Sequence, residues 1–517
     1  MKGHSNKESA GDHGPAESAA YTSPRKEHPD AEAVDDEALI PADITPDQVP
    51  EEAEADIGNE QNNFARGSVR RHIVRLAVPM TLAMLIQMLY NLIDRIYIGH
   101  LPGNEATNAF TGLGLTFPII TIILAFTNLF GMGGAPLCSI ERGRHDLARA
   151  EKIMGNTFIL LSGCSVCLIA LCYPLMRPLL YLFGASDATF PFAAQYLNIY
   201  LIGTPFTMLA TGLNGFINIQ GYTKYGMVTV AAGAAANIAL DPLFIFAFDM
   251  GVAGAALATV LSQILSAAWV LWFLCGKRSQ LRLRKKNFRL EGKIVREICS
   301  LGTAGFVMYA SNGAVQIACT STLKAFGGDL YVGVMTVLTS LRDVVSLPIQ
   351  GLTNAAQPVI GYNYGAGQYD RIRQSMRFIT VIGILYTLTA WLILFLLPGQ
   401  LMTIFNDDPA LLEAGVPALH IYYFGFFMMA FQFSGQSVFV GLGKARQAIF
   451  FSLLRKIVIV VPLTIALPYI PSLGVTGVFL AEPISNFVGG LACFLTMLFT
   501  LRRLAPSKSP VPSDLSG

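Results

Sequence analysis

Runs of roughly twenty apolar residues recur from residue 69 to residue 500, each long enough to cross a hydrocarbon core as a helix. Water is absent at that depth, so backbone N–H and C=O groups must be satisfied within the chain, which leaves helices or closed barrels. A barrel strand alternates over about ten residues, and these runs do not. The chain is therefore predicted to be an all-α polytopic membrane protein. Composition agrees: 53% of the 517 residues are hydrophobic and only 14% charged, against about 25% charged in soluble domains.

Twelve spans are expected, at about 69–98, 109–137, 153–173, 190–219, 226–248, 252–275, 296–323, 331–360, 376–397, 412–441, 447–470 and 474–500. Basic residues mark the start of the first span (Arg70, Arg71, Arg75), the loop after the second, the stretch 276–295, the loop with Arg371 and Arg373, and the C-terminal end with Arg502 and Arg503. The alternate loops carry Glu105, Asp187, Asp249, Asp329, Asp407 and Asp408, with Lys324 as an exception. The positive-inside rule then puts both termini in the cytoplasm of a multi-pass protein of the cell inner membrane. Residues 1–65 hold 16 acidic and 4 basic residues and almost no aromatics. They are expected to form a disordered acidic tail, because they cannot bury enough apolar surface to fold.

The two halves repeat. Leu197-Asn-Ile-Tyr-Leu-Ile-Gly203 matches Leu419-His-Ile-Tyr-Tyr-Phe-Gly425 at an offset of 222, which Pro136 and Pro358, Gly143 and Gly365, and Gly221 and Gly443 share. Gly251-Val-Ala-Gly254 matches Gly474-Val-Thr-Gly477 at 223. Six spans per half give both halves one topology, related by an axis along the membrane normal, with the transport path between them. The expected organisation is an acidic cytoplasmic tail (1–65), a six-helix lobe (66–275), a basic cytoplasmic linker (276–295), a second lobe (296–501) and a C-terminal tail (502–517).

Within the apolar runs a few polar residues stand out. Asn237 and Asp241 lie four apart and share one helix face. An ionisable group at membrane depth costs roughly 2.5–3.5 kcal/mol on insertion scales, so it marks a functional position. Counting back from the loops puts Asp94, Asp241 and Thr259 at similar depths, roughly 7–12 Å below the outer surface. Two carboxylates, an amide and a hydroxyl form an oxygen set suited to a hard cation such as Na⁺, and neighbouring carboxylates also permit proton exchange. The plainer readings are a helix-end residue for Asp94, interhelical hydrogen bonding for Asn237 and Asp241, and packing for Thr259. Glu482 is expected to pair internally with Arg455 and Lys456. Tyr90, Phe206, Tyr309, Met335, Phe427 and Met428 are candidates for an adaptable substrate-cavity wall.

The motifs Asp94-Arg-Ile-Tyr-Ile-Gly99, Asn237-Ile-Ala-Leu-Asp241-Pro242, Gly251-Val-Ala-Gly-Ala-Ala-Leu-Ala-Thr259 and Gln357-Pro-Val-Ile-Gly-Tyr-Asn-Tyr-Gly-Ala-Gly367 resemble those of multidrug and toxic compound extrusion (MATE) transporters, DinF-like branch. The resemblance covers about residues 68–500. It implies a V-shaped fold of two lobes and a cation-coupling site at Asp94, Asn237, Asp241 and Thr259. It also implies a first helix that bends at Pro79, and efflux of amphipathic, often cationic drugs in exchange for Na⁺ or H⁺. The lobes would rock about the linker of residues 276–295. Some relatives carry acidic residues in the seventh and tenth spans. Here those spans offer Asn312, Gln316, Gln432 and Gln436, so coupling is expected in the first half only.

A flippase for lipids or lipid-linked precursors is the alternative, for which an Arg-rich cavity and more than twelve helices are the expected marks. The sequence displays neither. A receptor acting through its acidic tail is a third reading. No phosphate loop of the form G-x-x-x-x-G-K-[ST] and no hydrolytic or redox constellation occurs in the sequence. Neither an enzyme nor nucleotide-driven transport is expected, and no cofactor beyond the coupling ion. The basic excess fits cytoplasmic loops rather than nucleic acid, and the expected partners are drugs and membrane lipids. A monomer is expected.

Overall fold

A computed structural model of the chain describes residues 63–99, 106–405 and 408–504, less the side chains of residues 95, 98, 99, 106–108 and 110. The charges on Arg95, Glu105 and Asp407, residues 1–62 of the acidic tail, and the tail beyond residue 504 lie outside the described residues.

The described residues form helices and connecting turns, with no strand. The first half contains α1 (Val69–Gly99), α2 (Ala106–Gly143), α3 (Leu147–Leu182), α4 (Phe190–Asn218), α5 (Thr223–Pro242) and α6 (Gly251–Cys275). A π-helical turn, Leu243–Ala247, follows α5. Gly292–Gly365 is one helical stretch of 74 residues broken at Gly328, whose φ of 68° and ψ of −167° no helix accommodates. It is treated as α7 (292–327) and α8 (329–365). Then come α9 (Tyr369–Leu396), α10 (Pro409–Gly441), α11 (Ala445–Tyr469) and α12 (Thr476–Arg503). A 3-10 turn, Phe426–Met428, interrupts α10, and a π-helical turn, Leu454–Val460, interrupts α11. Ten helical stretches are long and apolar enough to cross a membrane.

Several helices run past their apolar windows at the basic end. Glu141 and Arg142 are still helical in α2, and α8 continues to Gly365. Packing supplies the reason, because α2 and α8 cross there in a symmetric contact. A methyl group on Gly143 would overlap the Tyr362 carbonyl oxygen, and one on Gly365 would overlap the Ile140 carbonyl oxygen. At the offset of 222, Gly143 corresponds to Gly365 and Ile140 to Tyr362, so one contact is the other's repeat mate. Between them the Ser139 hydroxyl donates to the Pro358 carbonyl at 2.8 Å. The repeat read in the sequence is thus a pseudo-twofold relation in space, with its axis close to this crossing.

Helix α1 joins the two halves. Its opening residues Val69, Ile73, Leu76 and Ala77 share an apolar cluster with Ile349, Val359, Val438 and Phe451 of the second half. Near its other end Tyr97 packs edge-on against Phe246 of the first half, 6.3 Å between ring centroids. The end of the tail is ordered as well. Phe64 is only 1% exposed and belongs to the same cluster. Arg371 donates to the carbonyls of Phe64, Arg66 and Gly67 at 2.8–3.0 Å, and Tyr362 donates to the Asn63 side chain at 3.2 Å. Residues 63–65, expected to be disordered, are therefore fixed: the lone phenyl ring finds a core to enter.

The stretch 276–295 is stitched to the first half. Gln220 Oε1 accepts from Ser279 Oγ at 3.0 Å and from Leu281 N at 2.9 Å. Glu151 accepts from Arg282 N at 3.1 Å, and Phe158 stacks on Phe288 at 4.8 Å. A loose hinge along its whole length is excluded by these bonds, and the ties continue past Glu291 N to Asn156 Oδ1 at 2.9 Å: Ile294 and Ile298 enter the apolar core of the first half, and Arg149 pairs with Glu297 at 2.9 Å.

Candidate functional site

Helix α5 is built from small residues, and α6 approaches it closely. Gly233 faces Ser266, and Gly254 lies against the Phe244 backbone, where a Cβ would come within 2.6 Å of the carbonyl carbon. This proximity lets short polar side chains reach across. Asn237 and Asp241 are buried, at 1% and 0% exposure, and so is Thr259. Asn237 Nδ2 donates to Asp241 Oδ1 at 3.3 Å and to Thr259 Oγ1 of α6 at 3.5 Å. Asp241 Oδ2 and Asn237 Oδ1 are buried acceptors without a donor. Buried acceptors normally have donors, and these two have none in the structure.

Helices α1 and α4 complete the surround. Asp94 of α1 is half-buried and close enough to add its charge to the field at Asp241. Tyr90, also on α1, is within the electrostatic reach of Asp94, Asp241 and, on α4, Tyr200. Tyr196 and Tyr200 stack at 5.9 Å, and Tyr196 also neighbours Thr259 and Asp94. Asp94, Asn237, Asp241 and Thr259 are thus grouped in the first half. Pro242 removes one helical rung after Asp241 and the chain continues in the π turn, a feature found mostly at functional sites. Among the described residues no three His, Cys, Asp or Glu side chains gather as metal ligands. The four grouped side chains offer carboxylate, amide and hydroxyl oxygens.

The second half holds a different buried cluster. Glu482 Oε1 on α12 accepts from Arg455 Nη2 at 2.6 Å and Lys456 Nζ at 3.3 Å, and Arg342 Nη1 of α8 stands 3.7 Å away. Arg342 also donates to the Tyr422 hydroxyl at 2.7 Å. The pairing of Glu482 with Arg455 and Lys456 has the form expected from the sequence. Arg342 and Asp343 were not singled out there, although two charges inside an apolar span are the signal that would have found them.

A cavity of about 510 Å³ lies between the halves. Met80, Met84, Asn128 and Met132 line it from the first half, and Arg342, Asp343, Gln432, Gln436, Arg455 and Lys456 from the second. Of the six wall candidates, Tyr309 lines this cavity and Met335 a second one of about 20 Å³ beside Glu482. Tyr90 faces the carboxylates instead. Phe206 sits on the half-exposed surface of α4, Phe427 packs on Trp391 and Phe487, and Met428 belongs to the 3-10 turn of α10. Pro79 is buried inside α1, which continues through it as one helix. An Arg-rich cavity was not expected; two arginines, Arg342 and Arg455, line it, where α8 and the π turn of α11 direct them inward.

At the basic end the halves are latched. The Arg142 guanidinium lies over the rings of Phe64 and Tyr362, 5.3 and 5.2 Å from their centroids. It also donates to the Ile219 carbonyl at 2.6 Å and to Gln280 at 2.8 Å.

Two repeated helical halves of membrane-spanning character, a polar site inside one half and a cavity between them define a membrane protein of the transporter class. The MatE family model matches residues 79–243 and 306–466, and the chain belongs to that family. The multidrug export protein MepA of Staphylococcus saprophyticus is 24% identical over 448 residues, covering 86% of this chain and 97% of the relative. MepA of Staphylococcus haemolyticus is 24% identical over 454 residues with the same coverage. Among solved structures, a MATE in the bent conformation superposes with a TM-score of 0.81 at 24% identity, covering 86% of this chain and 98% of that one. The outward-facing conformation of a multidrug resistance MATE family transporter gives 0.80 at 24% identity, with the same coverage.

Proposed function

We propose that the protein is a secondary antiporter that exports amphipathic organic compounds. Na⁺ or H⁺ from outside occupies the Asp94, Asn237, Asp241 and Thr259 set, and the exported compound occupies the cavity between the halves. The carrying observation is the pair of buried acceptors without donors, Asp241 Oδ2 and Asn237 Oδ1, beside a second carboxylate. The staphylococcal relatives, named multidrug export proteins, support an export direction. Twelve crossings follow if the break at Gly328 separates two spans and the 29-residue α4 also crosses. Both termini then lie in the cytoplasm and the basic end faces inward. Alternating access is a rocking of the halves about the α2–α8 crossing.

The test is uptake of a fluorescent amphipath into everted vesicles under imposed Na⁺ and H⁺ gradients. Wild type is expected to respond to one of the two gradients. Asp94→Asn and Asp241→Asn are expected to lose that response at unchanged protein level. Full gradient-driven uptake by both variants would overturn the reading.

A further inference from the structure

The central cavity has a charge bias that the coupling site does not explain. Four charged side chains line it, Arg342, Asp343, Arg455 and Lys456, all from the second half. The first-half wall contributes only apolar and uncharged polar side chains. Behind them Glu482 compensates one cation. Three cations thus face two carboxylates, a surplus of one positive charge. The Arg455, Lys456 and Glu482 side chains are only 8%, 12% and 5% exposed. Uncompensated charge in such surroundings is costly unless a counter-charge arrives. The donors are also underused. All three cations converge on one oxygen, Glu482 Oε1. Arg455 Nε is a buried donor without an acceptor.

The backbone is arranged to display this group. Arg455 and Lys456 are adjacent, and adjacent residues of an α-helix diverge by about 100°. They lie in the π turn Leu454–Val460, whose wider winding brings both to the cavity. Gly489 of α12 sits against Arg455, and a Cβ there would come within 3.3 Å of Arg455 Cβ and Cγ. The apolar remainder of the wall includes Met80, Met84, Met132 and Met429, thioethers that adapt to varied shapes.

We propose that Arg342, Arg455 and Lys456 form a subsite for the anionic headgroup, carboxylate or phosphate ester, of the amphipath carried in this cavity. The proposal rests on the export reading above and specifies its substrate class. The headgroup brings the missing negative charge and offers acceptors to the guanidinium donors, while the methionines hold the apolar body. An organic cation would meet three like charges and one carboxylate. The headgroup belongs either to a soluble compound or to a membrane lipid.

The experiment is equilibrium binding of pyrenebutyrate to the full chain in nanodiscs of phosphatidylcholine, beside a pyrenyl-butyl-trimethylammonium probe of the same body. Wild type is expected to hold the carboxylate probe at least about tenfold more tightly than the ammonium probe. Lys456→Gln is expected to weaken carboxylate binding about tenfold and Lys456→Arg to restore most of it. Arg342→Gln provides an independent variant should Lys456→Gln not fold. Tighter binding of the ammonium probe by wild type, or carboxylate binding indifferent to both Gln variants, would overturn the proposal. Competition by phosphatidylglycerol added to the nanodiscs identifies a lipid headgroup as the occupant, and its absence identifies a soluble anion; both agree with the subsite. Gradient-driven uptake distinguishes the two readings. Anion binding without gradient-driven movement sinks the antiport and leaves the subsite, whereas gradient-driven export with cation preference does the reverse.

Discussion

The α5–α6 pair of the first half and the α11–α12 pair of the second are repeats that carry opposite chemistry. In both, a glycine starts the second helix against the end of the first. Gly254 lies against Phe244 and Gly477 against Leu467, with hypothetical Cβ contacts of 2.6 and 2.8 Å. In both, a π-helical turn lies near a proline, Pro242 or Pro462. Yet Thr259 is replaced by Glu482 at the offset of 223. Where Gly233 faces Ser266, Arg455 faces Gly489, so the glycine sits on the other helix and leaves room for a large side chain. The first pair ends with acceptors lacking donors and the second with donors in excess. A shared scaffold thus holds buried carboxylate and amide acceptors in one half and a cationic wall in the other.

That comparison predicts unequal responses to neutralisation. Glu482→Gln leaves three clustered cations, Arg455 the most buried of them, around a neutral amide and is expected to cost about 3–5 kcal/mol of stability. Asp241→Asn removes a buried charge without a paired cation and is expected to leave thermal stability unchanged or raised. Thermal unfolding in detergent checks both, and a larger loss for Asp241→Asn would break the contrast. The α2–α8 crossing is where the halves must agree. Gly365→Val forces a side chain onto the Ile140 carbonyl and is expected to cost about 1–3 kcal/mol, with weakened closure of the basic end. Cysteine placed at Ser139 reports that closure by its alkylation rate. The latch comes last: Arg142→Gln removes two cation–π contacts and the donors to the Ile219 carbonyl and Gln280, about 1–3 kcal/mol in all. It should speed alkylation at the same reporter several-fold, and an unchanged rate would show that the crossing closes without the latch.

Much of this molecule was legible in its sequence because lipid forces periodicity and length on a spanning helix. The helices, the repeat and the polar pair Asn237 and Asp241 follow from apolar runs and from one offset shared by several matches. The depth count that groups Asp94 with Thr259 uses only helical rise. Other features were hidden because they depend on side-chain direction. Apolarity alone does not separate Tyr309 on the cavity from Phe427 in an aromatic cluster. Arg342 and Asp343 stand out as two charges inside an apolar span, but that they face the cavity is not legible in the sequence. Phe64 reads as part of an acidic tail until the pocket formed by α1, α8 and Arg371 is seen.

Division of labour between the halves is tested most directly by one paired assay on Asp241→Asn. Pyrenebutyrate binding and its gradient-driven movement are measured on the same reconstituted preparation. Retained binding with movement lost is the predicted result. Movement retained, or binding and movement lost together in a folded protein, would contradict it.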